Sequence, residues 1–150
     1  LKTQPFLKIQ EAPQALQDLY ELAKLARSHS HSPYSGYSVG SAIRLSDGRI
    51  FNGCNVENAS YGATVCAERV AIQKAVSEVG GELQLTEVMV VTDSTPPWTP
   101  CGMCRQVIAE FAKNTQIFTA NLSGDYLSVP FKELFPSAFD RTQLNRDPIS

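Results

Sequence analysis

Cys66-Ala67-Glu68 and Pro100-Cys101-Gly102-Met103-Cys104 bring three possible thiolates and one carboxylate into a chain of 150 residues. Three thiolates suit a zinc ion that keeps one coordination position open, and a carboxylate beside it can carry protons. The chemistry this predicts is attack of metal-activated water on a substrate. Cys101 and Cys104 are three residues apart, so at a helix start they share one face and form a two-ligand clip. Cys66, at the start of another helix, completes a pyramid of three sulfurs. A helix N-terminus carries roughly half a positive charge and unpaired N–H groups, which stabilise thiolates.

Three thiolates around Zn²⁺ leave a net negative charge, too electron-rich to acidify water well. A compensating cation is needed, and Arg69 sits one turn beyond Cys66 on the same helix face. Glu68 is only two positions past Cys66, and such residues do not face each other along a helix. In a first turn, however, its side chain can reach across the mouth of the site. The plainer reading is a surface carboxylate favoured by the helix dipole. Two other uses of the cysteines stay open on these residues alone. One is a structural four-cysteine zinc site that recruits Cys54. The other is a thiol redox pair at Cys101 and Cys104. Cys54 falls in a predicted strand, unlike the paired clips of zinc ribbons, and suits a small buried apolar role. His29 and His31 read as exposed loop residues.

The elements that must hold these groups follow from periodicity. Leu16, Leu19, Leu22, Ala23 and Ala26 make residues 15–28 an amphipathic helix. Residues 37–45 and 49–56 form a strand pair about the Asp47-Gly48 turn signal. An irregular connection over 58–64 leads to a helix over 66–79, stopped by Gly80-Gly81. Residues 86–92 have the continuous apolar run of a buried strand. A proline-containing loop over 93–100 precedes a helix over 102–114. Strands over 116–120 and 126–129 and a helical turn over 131–135 complete the pattern. This order predicts an α/β fold: a three-layer α/β/α sandwich around a mixed five-stranded sheet. One domain is expected to span 1–150, with a polar tail from about residue 142.

Composition narrows the partners. A formal net charge of −2 with scattered basic residues excludes a nucleic-acid track. No apolar run approaches the ~20 residues needed to cross a bilayer, and residues 1–14 lack the basic start and apolar stretch of an export signal. Four cysteines in such a chain do not make a disulfide scaffold. A reducing cytoplasm and metal binding are expected.

Cys54-Asn55-Val56-Glu57-Asn58-Ala59, Cys66-Ala67-Glu68-Arg69 and Pro100-Cys101-Gly102-Met103-Cys104-Arg105-Gln106 together resemble the small, homotetrameric, zinc-dependent cytidine deaminases. The likeness runs from about Tyr20 to Phe139. It implies that Cys66, Cys101 and Cys104 hold zinc and that Glu68 moves protons between water, N3 of the pyrimidine and the departing amine. It implies that the N–H of Ala67 holds the base O2 and that the carbonyl of Thr99 meets the C4 amine. Asn55 and Glu57 match a pair that binds the ribose 3′-hydroxyl. Tyr37 stands where most members stack a phenylalanine on the base, and Tyr61 is similar to a tyrosine that reaches the 5′-hydroxyl. Phe139 resembles an aromatic supplied by a neighbouring subunit, which implies a homotetramer with active sites at its interfaces. The implied reaction is hydrolytic deamination of cytidine and 2′-deoxycytidine in pyrimidine salvage.

Three other readings compete. A deaminase of a modified cytosine compound, such as blasticidin S, shares the zinc motif, but Asn55 and Glu57 favour an ordinary ribose. A polynucleotide-editing deaminase usually has histidine as its first ligand and needs a basic track. A zinc-stabilised binding module without catalysis is the reading from a different class.

Overall fold

The computed structural model describes residues 4–144. Six strands form one mixed sheet in the order β1-β6-β5-β4-β2-β3. They are β1 (Leu7–Lys8), β2 (Gly40–Leu45), β3 (Ile50–Cys54), β4 (Leu85–Thr92), β5 (Ala112–Asn121) and β6 (Asp125–Pro130). The helices are α1 (Gln14–Arg27), α2 (Ala67–Val79), α3 (Gly102–Phe111) and the single turn α4 (Phe131–Leu134).

Among these six strands β4 and β5 pair in parallel, joined by the crossover through α3, and their other pairings are antiparallel. Strand residues alternate between the two faces. One face presents Ala42, Met89, Val91 and Ala120 to Leu16, Leu19, Tyr20 and Ala23 of α1. The other presents Ile43, Val88, Val90 and Ile117 to Ala71, Ile72 and Ala75 of α2, to Ile108 of α3, and to Phe131 and Leu134 of α4. Helices therefore cover both faces of the sheet.

The sixth strand corrects the expected five. β1 pairs Leu7 with Tyr126 and Lys8 with Asp125, and Lys8 and Asp125 also form an ion pair. Two residues, both exposed, carry no readable alternation. The third helix is also shorter than expected. It ends at Phe111, because Ala112 already pairs with Leu85 of β4. The excursion is absorbed by Asn114 at φ 51°, in the left-handed region that asparagine tolerates. Thr115 Oγ1 donates to the Leu85 carbonyl at 2.7 Å and closes it. In the first helix, Leu22 is only partly buried and Tyr20 takes its place in the core. A 3₁₀ turn over Arg141–Leu144 begins the expected polar tail, whose residues 145–150 lie outside the described residues.

Two glycines set how closely the helices approach the sheet. A Cβ on Gly40 would lie 1.9 Å from the Ala23 carbonyl oxygen of α1. A Cβ on Gly53 would lie 2.6 Å from the Ala71 nitrogen and 2.9 Å from the Ala67 carbonyl oxygen of α2. Gly53 thus brings the first turn of α2 hard against β3, and that turn carries Cys66, Ala67 and Glu68.

Candidate metal centre

Cys66 and Cys101 occupy equivalent places: each is the extended residue that caps the N-terminus of its helix, α2 and α3 respectively. Cys104 lies one turn into α3 and is fully buried. Their three Sγ atoms lie within 4.8 Å of one another, and Cys66 and Cys101 are 3.9 Å apart. Sulfurs held about 2.3 Å from a tetrahedral zinc stand about 3.8 Å apart. The trio therefore fits zinc in both spacing and donor chemistry. Cys54 is not in this group; it ends β3, half-buried and reduced. That argues against a four-cysteine structural site.

Arg69 reaches back to the cluster. One guanidinium nitrogen lies 3.7 Å from Cys66 Sγ and 3.3 Å from the Thr64 carbonyl, while its buried Nε has no hydrogen-bond partner. The Cys66 thiol is lowered to about 5, chiefly by a hydrogen bond from the Cys104 thiol, with Arg69 and Cys101 adding to it. Cys104 is raised correspondingly as the donor of that bond. These sulfurs share charge at short range and are supplied with a cation, as a thiolate metal site needs.

Glu68 is only 4% exposed. Burial raises its carboxyl to about 7, and the nearby Cys66 thiolate adds to the effect. It is thus no surface carboxylate. Ala67 beside it is fully buried, and as the first residue of α2 it has an N–H with no helix carbonyl to accept it.

Asn55 lies beyond the end of β3, not within the strand expected over 49–56, and Glu57 follows it in the same connection, because Val56 leaves the hairpin to bridge His31 and Val65. Both side chains face the 30–39 loop. Asn55 Oδ1 accepts from Ser30 Oγ at 2.5 Å and the Val39 N–H at 2.9 Å, and its Nδ2 donates to the Tyr37 carbonyl at 2.8 Å. One amide hydrogen is left over. Glu57 Oε1 accepts from the N–H groups of Tyr34 and Ser35 at 2.9 and 3.0 Å, and Ser35 Oγ donates to Oε2. These bonds hold the Glu57 carboxyl below its ordinary value, with the Ser35 hydroxyl contributing most. Oε2 keeps a lone pair. One spare donor and one spare acceptor are what a hydroxyl group requires.

Glu57 and Tyr61 line a cleft of about 380 Å³ together with Tyr34, Ser35 and Thr64. Tyr37 is 60% exposed and packs edge-on against Trp98. Thr99 follows directly and is held through its hydroxyl by Arg105 at 3.0 Å. Phe139 is not joined to this set by its ring, which is 54% exposed and in no aromatic pair among the described residues; its carbonyl accepts from Gln106 of α3 at 2.9 Å.

Three residues around the site had no assigned role in the sequence. Arg105 donates to the Pro100 carbonyl at 2.8 Å and the Leu134 carbonyl at 2.7 Å, besides Thr99, and so fixes the loop that delivers Cys101. Its place directly after Cys104 was the available signal. Tyr34 pairs edge-on with Tyr61 at 5.7 Å. Trp98, the one tryptophan of the chain, was legible only as an aromatic in a proline loop.

Residues 13–120 match the sequence family described as the cytidine and deoxycytidylate deaminase zinc-binding region. The chain is 43% identical over 130 residues to a cytidine deaminase of Halalkalibacterium halodurans, covering 86% of this chain and 97% of that one. Among solved structures, it is similar to a cytidine deaminase from Burkholderia pseudomallei with TM-score 0.76 and 41% identity, covering 82% of this chain and 98% of the other. A cytidine deaminase from Mycobacterium leprae aligns with TM-score 0.67 and 36% identity, covering 81% and 97%.

Proposed function

The chain belongs to the family of zinc-binding cytidine and deoxycytidylate deaminases, and we propose that it hydrolyses cytidine and 2′-deoxycytidine to uridine and 2′-deoxyuridine with release of ammonia. The observation that carries this reading is the three-sulfur cluster beside a buried glutamate at two facing helix starts. Cys66, Cys101 and Cys104 would hold the zinc, which when bound supplies Lewis acidity to a water molecule.

The remaining chemistry falls to the chain's own groups. Glu68 takes a proton from the attacking water and delivers it to N3 as water adds at C4. It then takes the proton of the hydroxyl now on C4 and gives it to the C4 amine, so that the C4 carbonyl forms as the C–N bond breaks and ammonia leaves. Burial raises this carboxyl to about 7, where a group that must alternate between base and acid can both take and give a proton. The Ala67 N–H donates to the base O2, and the Thr99 carbonyl accepts from the C4 amine. Arg69 offsets the sulfur charge. Tyr37 lies against the base.

The spare hydrogen of Asn55 and spare lone pair of Glu57 take the ribose 3′-hydroxyl, and Tyr61 reaches the 5′-hydroxyl. A site built around a sugar hydroxyl penalises free cytosine, because its polar groups are then left unpaired. The two apolar clusters back one sheet, which supports reading the chain as a single domain. Phe139 and the exposed tyrosines support a homotetramer whose active sites sit at subunit contacts. Among the described residues no helix is long and apolar enough to cross a membrane. A cytoplasmic place in pyrimidine salvage is part of the same proposal.

Ultraviolet absorbance on mixing the zinc-loaded protein with cytidine, deoxycytidine, cytosine, cytidine monophosphate and blasticidin S tests the proposal. Rapid loss of the two nucleosides and slow or no loss of the other three is expected. No change with any of them at high enzyme concentration would sink it.

A further inference from the structure

We propose that Trp98 is a specificity-determining residue that borders the C4–C5 edge of the pyrimidine and limits what may be attached at C5. The inference rests on the deaminase reading above and extends it to a residue that the motifs do not cover. Trp98 and Tyr37 are both large exposed aromatics, at 42% and 60%, yet they pack on each other with ring centroids 5.1 Å apart and planes inclined at 71°. They form a corner with two faces available to a ligand. A base lying parallel to Tyr37 is steeply inclined to the indole, so it meets Trp98 along an edge.

The chain direction selects which edge. Trp98 immediately precedes Thr99, whose carbonyl is assigned to the C4 amine; of the two ring atoms beside C4, N3 is assigned to Glu68, which leaves C5 on the Trp98 side. The loop that carries the indole is also anchored on both sides of Trp98. On its C-terminal side Arg105 ties Thr99 Oγ1 and the Pro100 carbonyl. On its N-terminal side, Asn121 of β5, itself 2% exposed, donates to Thr95 Oγ1 at 3.0 Å. A wall anchored at both ends discriminates by volume, where a mobile one would yield.

The test uses the zinc-loaded enzyme. As Trp98 is the one tryptophan, selective excitation of indole reports on it directly, and saturating uridine is expected to shift or quench its emission. Trp98→Ala is expected to raise KM for cytidine about fivefold, the size of a lost aromatic contact. It should also raise the ratio of 5-methylcytidine to cytidine kcat/KM about tenfold, the lower range for one methyl group against a wall. Trp98→Phe should restore most of the cytidine KM. A purely structural role would lower both substrates together and leave the ratio fixed. Should Trp98→Ala not fold, Trp98→Leu carries the same comparison. Cytidine turnover with an unchanged ratio, or with emission indifferent to uridine, overturns the role of Trp98 alone. Absence of cytidine turnover in the parent enzyme overturns the deaminase reading and this one with it.

Discussion

Glu68 illustrates how one residue depends on its surroundings for its chemistry. By spacing alone it could be a surface carboxylate two positions from a cysteine; buried behind that cysteine it becomes a group suited to moving protons. Replacing it by glutamine keeps its shape and removes its acid–base capacity. Glu68→Gln is expected to retain one zinc per chain by metal analysis while losing on the order of a thousandfold in kcat, the range for a positioned acid–base group. Near-parental turnover would remove Glu68 from the mechanism. Charge arithmetic points to Arg69, whose guanidinium lies 3.7 Å from the Cys66 sulfur. Asn55 and Glu57 show the limit of such reasoning. Their residue types were legible, but their setting was not, since the hairpin ends at Cys54 and the pair is oriented by Ser30, Ser35 and backbone groups of a loop distant in sequence.

Elements act here by bringing two helix starts together. The close approach of α2 to β3 at Gly53 gives the sharpest prediction at this scale. Gly53→Ala would press a methyl group into α2 and is expected to destabilise the fold by about 1–3 kcal/mol, as overpacking does. Denaturant unfolding would measure this, and zinc content and turnover should fall with it because the displaced turn carries Cys66 and Glu68. Gly81→Ala, with open space around it, is the matched control and should change little. On the opposite face, Tyr20 of α1 donates its hydroxyl to the Asn121 carbonyl at 3.0 Å. Burial raises its pKa above the usual 10. A group raised on folding contributes stability that is complete below its unfolded pKa and lost as pH climbs through the folded one. Unfolding midpoints should therefore drop above about pH 10. Tyr20→Phe should lose about 1 kcal/mol at neutral pH and show a shallower alkaline decline.

At the scale of the whole molecule, Met103, set between Cys101 and Cys104, is 64% exposed and Tyr61 is 76% exposed, with Tyr34, Tyr37 and Phe139 all above half. Large exposed apolar groups are what a subunit contact would cover, as the proposed homotetramer requires. Sedimentation at working concentration is expected to give a tetramer, and a fully active monomer would refute the shared-site reading. The sequence by itself determined which residues are candidates for the donor set, the carboxylate and the compensating arginine, and the order of the main helices and strands from α1 onward, because each rests on residue type and short-range spacing. Only the tertiary structure decided how these meet. It brings Cys66 and Cys101 to adjacent helix starts, adds the two-residue strand β1, ends α3 early against β4, and turns Trp98 onto Tyr37. Those features arise from pairings and packings between residues far apart in the chain, and no local periodicity carries them.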